Sequence, residues 1–143
     1  VVVLPTKTVP QGIAAMLAVD PEAGQDELTE LMLQAAKRVC TAEITYAARD
    51  SEFDGTAIKE GDYLALLEHQ LFGTDQSLEV LMRRLAKSEA LQKAEFISVF
   101  YGENVTEQQA EQAVQQITEA CPNAEVNLLP GGQPVYYYMI SAE

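Results

Sequence analysis

Hydrophobic positions change period along the chain. Val1, Val2, Val3 and Leu4 form an unbroken apolar run of the kind found in a parallel strand covered on both faces. Such a strand cannot be the only one of its sheet, so either it joins the strands that follow or its partners lie outside the sequence; the second reading is favoured and makes the chain a fragment of a longer protein. Thr8-Val9-Pro10-Gln11 is a Thr-x-x-Gln capping box with proline in the first turn, and it opens a short helix whose Ile13, Met16 and Leu17 share a face. After an Asp20-to-Gly24 turn, the spacing of Leu28, Leu31, Met32, Ala35, Ala36 and Val39 predicts a helix over 25–39 with one buried stripe.

From Thr41 the pattern shortens to period two. Strands are expected near 43–49, 56–59, 62–67 and 70–73, joined by turns of which Asp54-Gly55 and Glu60-Gly61 are the clearest. A helix over 76–87 follows, with Asp75 as N-cap and Leu78, Leu81, Met82 and Leu85 inward. Residues 95–101 are apolar on both faces and predict a central strand. Thr106 to Gln109 is a second capping box, opening a helix with Ala110, Ala113, Val114, Ile117 and Cys121 on one side, ended by Pro122. Strands near 124–129 and 134–141 close the chain around Pro130-Gly131-Gly132-Gln133. On the last strand Tyr136, Tyr138 and Ile140 point one way, and Val135, Tyr137 and Met139 the other. The fold class is therefore α/β. Residues 1–40 read as the remnant of a parallel α/β lobe, and 41–143 as an α+β second lobe with helices packed on a mostly antiparallel sheet.

Composition narrows the function classes. The 143 residues are 48% hydrophobic and 22% charged, values of an ordinary globular domain. A formal charge of -13 argues against nucleic acid and against an anionic membrane surface. No apolar run reaches the roughly 20 residues of a spanning helix, and no signal-peptide pattern opens the chain. The simplest reading is a soluble cytoplasmic protein with two reduced cysteines, Cys40 and Cys121, each closing the apolar face of a helix.

Candidate chemistry is sparse. No CxxC or HExxH spacing suggests a metal, and neither phosphate-loop glycine motif occurs. The single histidine, His69, falls at a hairpin tip, where an exposed turn residue is a simpler reading than a catalytic base. Asp50, Glu52 and Asp54 form a solvated rim in a chain rich in acids. More distinctive is Tyr136-Tyr137-Tyr138, since tyrosine supplies rigid amphipathic contact area. Charge is also unevenly spread. Residues 77–94 carry Arg83, Arg84, Lys87 and Lys93 against Glu79 and Glu89, whereas residues 95–143 carry seven glutamates and no lysine or arginine. Either segment offers a field that steers a complementary partner.

Several motifs occur together in order: Leu4-Pro5-Thr6-Lys7-Thr8-Val9-Pro10-Gln11-Gly12, Tyr46-Ala47-x-Arg49-Asp50, Ile58-Lys59-x-Gly61-Asp62, Tyr101-Gly102-Glu103-x-Val105-Thr106 and Gly131-Gly132-Gln133-Pro134-x-Tyr136-Tyr137-Tyr138. Over essentially the whole chain they resemble the C-terminal region of the bacterial fatty acid kinase A subunit, a YloV-type, dihydroxyacetone-kinase-like family. The resemblance implies a DegV-like fold and a part that is not an enzyme on its own. ATP and magnesium are expected in another domain of the full-length protein, which would form a homodimer through a further domain. No cofactor is expected in this part. The implied partner is the fatty-acid-carrying, DegV-like B subunit, whose bound acid is phosphorylated. Arg83, Arg84, Gly131, Gly132, Gln133, Pro134, Tyr136 and Tyr138 are the candidate docking residues. The alternative is a DegV-like module that itself binds a fatty acid or another small lipid. Against it, Leu129-Pro130-Gly131-Gly132-Gln133-Pro134 stands where carriers have a His-Thr-Gly-Pro-Gly-type segment, and it has no histidine or arginine to pair a carboxylate.

Overall fold

In the computed structural model, which describes residues 1–143, the elements run α1 (Val9–Leu17), α2 (Gln25–Lys37), β1 (Cys40–Tyr46), β2 (Ser51–Phe53), β3 (Thr56–Ile58), β4 (Tyr63–Leu67) and β5 (Gln70–Asp75). There follow α3 (Leu78–Ala86), α4 (Glu89–Gln92), β6 (Phe96–Tyr101), α5 (Glu107–Ala120), β7 (Glu125–Pro130) and β8 (Tyr138–Ala142). Six strands form one sheet in the order β5-β4-β1-β8-β6-β7, and β2 pairs with β3 in a separate hairpin. Only β6 and β7 run parallel, because α5 carries the chain back between them. The other neighbours are antiparallel, so the expected mixed fold with a mostly antiparallel sheet is what forms.

Alternation along each strand divides the sheet into two faces. Ala42 and Ile44 of β1, Ala65 of β4, Ile97 and Val99 of β6, and Ile140 and Ala142 of β8 face one layer, where they meet Leu81 and Leu85 of α3 and Ile117 of α5. Ile44, Leu81, Leu85, Ile97, Val99, Ile117 and Ile140 are all 0% exposed, and each such burial contributes about 1.5–3 kcal/mol. The helices are capped as their sequences dictate. Thr8 and Thr106 each accept from the backbone N–H three residues on, and Gln11 and Gln109 return the bond to the cap backbone. The opposite face carries α1, whose Pro10, Ile13, Ala14 and Leu17 line a shallow cleft with Ser98, Phe100 and Ser141. Thr8 and Thr41 join the two through their hydroxyls at 2.8 Å.

Several expectations are corrected. Residues 1–4 do not join the strands that follow, and Val1 to Val3 are exposed, because neither edge of this sheet takes them up. In α1 it is Pro10, Ala14 and Ala15 that are buried, while Val9, Ile13, Met16 and Leu17 are exposed. The stripe of α2 is only half-covered: Ala36 and, just past the helix end, Val39 are buried, while Leu31 is exposed. Ser77, not Asp75, caps α3 by accepting from the Val80 N–H; Asp75 ends β5 and accepts from the Ser77 N–H at 2.8 Å. Cys40 begins β1 rather than closing a helix. The strand placed at 43–49 lies at 40–46, and β2 and α4 are additional. The last strand starts at Tyr138, not at 134, because Gly131 to Tyr137 turn back on β6 instead of pairing with it, so Tyr136 is a loop residue.

Candidate functional site

Helices α3 and α5 lie side by side with matched ends. Cys121 Sγ donates to the Ala86 carbonyl at 3.3 Å, and the Gln92 side-chain amide donates at 2.8 Å to both the Ala86 and Ala120 carbonyls. At their N-terminal ends they part above the sheet and leave a cavity of about 220 Å³. Tyr63, Leu78, Met82, Ala113, Tyr137 and Tyr138 give it apolar surface; Glu79, Asn104, Gln109, Gln112 and Gln116 give it polar groups, and no lysine or arginine lines it. The small Ala113 side chain, on the inner face of α5, leaves room where a larger residue would fill the gap.

Tyrosines organise this end of the sheet. The Tyr63 ring meets Tyr46 and Tyr137 edge-on, with centroids 5.8 and 5.7 Å apart. Tyr138 is 1% exposed, and its hydroxyl donates to the Gln109 carbonyl at 3.3 Å. Burial pushes the Tyr138 phenol up to about 12. Tyr137 is also raised, by burial first and then by Tyr63 and Tyr46. Both phenols are therefore neutral hydrogen-bonding groups near pH 7.

The loop ahead of β8 is pinned. The Gly131 and Gly132 N–H groups donate to the Tyr101 carbonyl at 3.0 Å, and the Gln133 side-chain amide donates to the Phe100 carbonyl at 3.0 Å. Glu103 and Gly102 donate in turn to the Gln133 and Tyr137 carbonyls. Gly102 is required by this closeness, since a Cβ there would stand 2.7 Å from the Gln133 carbonyl oxygen and closer still to that of Tyr136. At the crest, exposed Val135 is held at φ 71°, a strained conformation for a β-branched residue, with its carbonyl accepting from the Thr45 hydroxyl at 3.1 Å.

The sequence-derived candidates thus fall into two groups. Gly131, Gly132, Gln133, Pro134 and Tyr136 share the pinned loop, and Tyr138 lies in the core as a wall of the cavity. Arg83 and Arg84 stand apart from that loop, on α3. Arg83 pairs with Glu79 at 2.6 Å, one turn back. Arg84 is a brace, donating to the Thr74 carbonyl at 3.1 Å and lying across Gly73, where a Cβ would meet its guanidinium at 2.7 Å. His69 is exposed in the β4–β5 turn, 3.9 Å from the carboxylate of the buried Glu43. Neither thiol is activated. Burial, and then the Glu68 carboxylate beside it, push Cys40 up to about 12, and burial raises Cys121. No three metal-ligating side chains come together. No helix is long and apolar enough to cross a membrane.

The cavity residues Asn104, Gln112 and Ala113 carried no functional signal in the sequence. Leu78, Met82 and Ala113 read there as core stripe, and a cavity is visible only once two helices and a sheet end converge.

The family model for the C-terminal region of proteins like the fatty acid kinase A subunit matches residues 1–143. The chain belongs to this family. Members of this fatty acid kinase A-type C-terminal family include stretches of longer proteins. Protein YloV of Bacillus subtilis is 34% identical over 143 residues, which cover 100% of this chain and 26% of that protein. An uncharacterized protein of Staphylococcus haemolyticus is 31% identical over 142 residues, 99% of this chain and again 26% of the relative. The chain therefore spans about a quarter of the length of these relatives. Among solved structures, the fold is similar to that of the Streptococcus pneumoniae fatty acid kinase B3 protein loaded with linoleic acid, with a TM-score of 0.60 at 14% identity, covering 93% of this chain and 54% of that one. A DegV family protein from Eubacterium eligens loaded with heptadecanoic acid aligns with a TM-score of 0.63 at 14% identity, over 93% of this chain and 55% of its own. At these identities the likeness concerns the fold. The A-type C-terminal domain is thus built on a DegV-like scaffold.

Proposed function

We propose that this domain takes an acyl chain into the cavity between α3, α5 and the tyrosine end of the sheet. The observation that carries the reading is that this cavity, walled by Leu78, Met82, Ala113 and Tyr138, lies in a fold whose relatives of known structure include proteins loaded with linoleic and heptadecanoic acids. Apolar floor and amide rim together suit an amphiphile, since each methylene taken from water contributes about 0.8 kcal/mol. Native mass spectrometry of the chain after exposure to saturated fatty acids of 6 to 18 carbons is the test. A one-to-one adduct that disappears in Ala113→Trp supports the reading; no adduct at any length sinks it.

A second reading has its own support. The cavity, at about 220 Å³, is smaller than the roughly 300–1,000 Å³ usual for drug-sized ligands, so a long acid would not fit whole. The family is that of the kinase's A-type component, whereas a fold neighbour is the B3 protein of a fatty acid kinase. On this reading the domain docks a fatty-acid-carrying B-type subunit through the Gly131 to Tyr136 loop or the Arg83 and Arg84 side of α3. ATP and magnesium would then belong to the part of the longer protein outside this chain. Retention of such a carrier by the immobilised domain, weakened by changes at Val135 or Arg83, would favour docking. Failure of the carrier to be retained would count against it.

We propose further that the chain divides at residue 40. Residues 1–40 would belong with a first α/β lobe, and 41–143 would form the second. Two facts support this: the solved neighbours are nearly twice as long as the part covered here, and α1 turns Val9, Met16 and Leu17 outward.

A further inference from the structure

The orientation of the ligand follows from where charge lies along the α3–α5 groove, and rests on the acyl-binding reading above. No cation lines the cavity, and its one carboxylate, Glu79, is already paired with Arg83. A free carboxylate carried into it would be desolvated without a partner, which is strongly unfavourable. An acid can therefore enter only by its tail. The way out passes Gln116, which borders the cavity, a polar hollow of about 340 Å³ shared with Glu79, Arg83 and Glu119, and a further hollow of about 220 Å³ between the C-terminal ends of α3 and α5, lined by Arg83, Lys87, Gln116, Glu119 and Ala120. From Leu78 to Lys87 the groove runs along nine residues of α3 and its cap, roughly 14 Å at the helical rise.

Lys87 is the one cation in this groove held by no carboxylate. Arg83 is tied to Glu79, Arg84 is spent on β5, and Lys93 pairs with Glu89. Glu119, across the groove, accepts from the Gln115 amide at 3.1 Å and sets a limit on how strongly the hollow attracts an anion. We propose that a fatty acid binds tail-inward, with its carboxylate left at the surface in the hollow beside Lys87, and that this lysine distinguishes acids from neutral amphiphiles. The cavity also sets the length of tail that is buried. At the ~30 Å³ a water occupies in the liquid, its volume of about 220 Å³ holds about seven methylene-sized groups. Octanoic acid therefore fills it, and longer chains leave carbon outside.

Titration calorimetry or chemical-shift titration with butanoic, hexanoic, octanoic and dodecanoic acids, and with octan-1-ol as the neutral analogue, tests this. Affinity should rise roughly fourfold per added methylene up to octanoic acid and flatten beyond it. Lys87→Glu should weaken octanoic acid about tenfold and leave octan-1-ol unchanged, while Ala113→Trp abolishes both. Circular dichroism confirms that each variant is folded, and Lys87→Arg, which keeps the charge, should restore acid binding. If both ligands bind and Ala113→Trp removes them, but Lys87→Glu affects acid and alcohol alike or neither, the head-group assignment is overturned and acyl binding stands. If neither ligand binds the parent chain, both readings fail together.

Discussion

Replacing Gly102 by alanine tests how firmly the loop ahead of β8 is fixed. The added Cβ meets the carbonyl oxygens of Tyr136 and Gln133, both backbone atoms of the same loop, so no side chain can swing away to make room. Relief requires Gln133 to Tyr137 to lift off β6, which stretches the Gly102-to-Tyr137 bond of 2.9 Å and the Glu103-to-Gln133 bond of 3.1 Å. Overpacking a tight site costs about 1–3 kcal/mol, and each bond weakened adds up to about 1 kcal/mol. The expected loss is about 3 kcal/mol, or roughly 10 °C in melting temperature for a chain of this size. Urea unfolding followed by far-UV circular dichroism measures it, with the midpoint falling at unchanged slope. Because Tyr137 and Tyr138 wall the cavity, acyl binding should weaken in the same variant. A loss below about 0.5 kcal/mol would mean that the loop yields freely and that the glycine is not needed for close approach.

Other expectations concern local structure. Thr106→Ala removes one half of the capping box on α5 and should cost about 1 kcal/mol in chemical unfolding, with Thr106→Ser retaining most of it. In the β4–β5 turn, Glu68 and His69 both have positive φ, at 50° and 63°, so His69→Gly should raise the melting temperature slightly; a fall would show that the imidazole's approach to Glu43 matters more than the turn. Alkaline pH should unfold the protein. Cys40, raised from 9 to about 12, and Tyr138, raised from 10 to about 12, hold more protons in the folded than in the unfolded chain above pH 9. Stability is thus full below pH 9 and lost as pH climbs toward 12, and Cys40→Ala should flatten the first part of that fall in urea titrations at stepped pH. The same shift predicts that Cys40 reacts slowly with iodoacetamide at pH 8 until the chain is unfolded.

Legibility in the sequence followed how local each determinant is. The capping boxes at Thr8 and Thr106, the buried stripe of Leu81, Met82 and Leu85, and the double-sided apolar strand at 96–101 are written in neighbouring residues and appear where expected. Sequence pattern alone extends β8 back to 134, because Tyr136 and Tyr137 have every local mark of a strand. What displaces them is the approach of Gly102 and Tyr101 from a segment some 35 residues earlier. Val1 to Leu4 stay unpaired with this sheet for a related reason, since an apolar run becomes a strand only against a free edge. Exposed Ile13, Met16 and Leu17 show that a helical stripe reports amphipathicity, while only packing decides which side is covered.

By itself, the order of residues determined the family, the α/β class, the caps and the segregation of charge, because each depends on short-range pattern or on motifs held in sequence. Tertiary structure alone decided which face of each helix is buried, how Gly131 to Tyr137 fold back on β6, and that Met82, Ala113 and Tyr138 enclose a cavity. These depend on atoms brought together from α3, α5 and β8, across about sixty residues of chain, and a void between packed elements belongs to none of them separately.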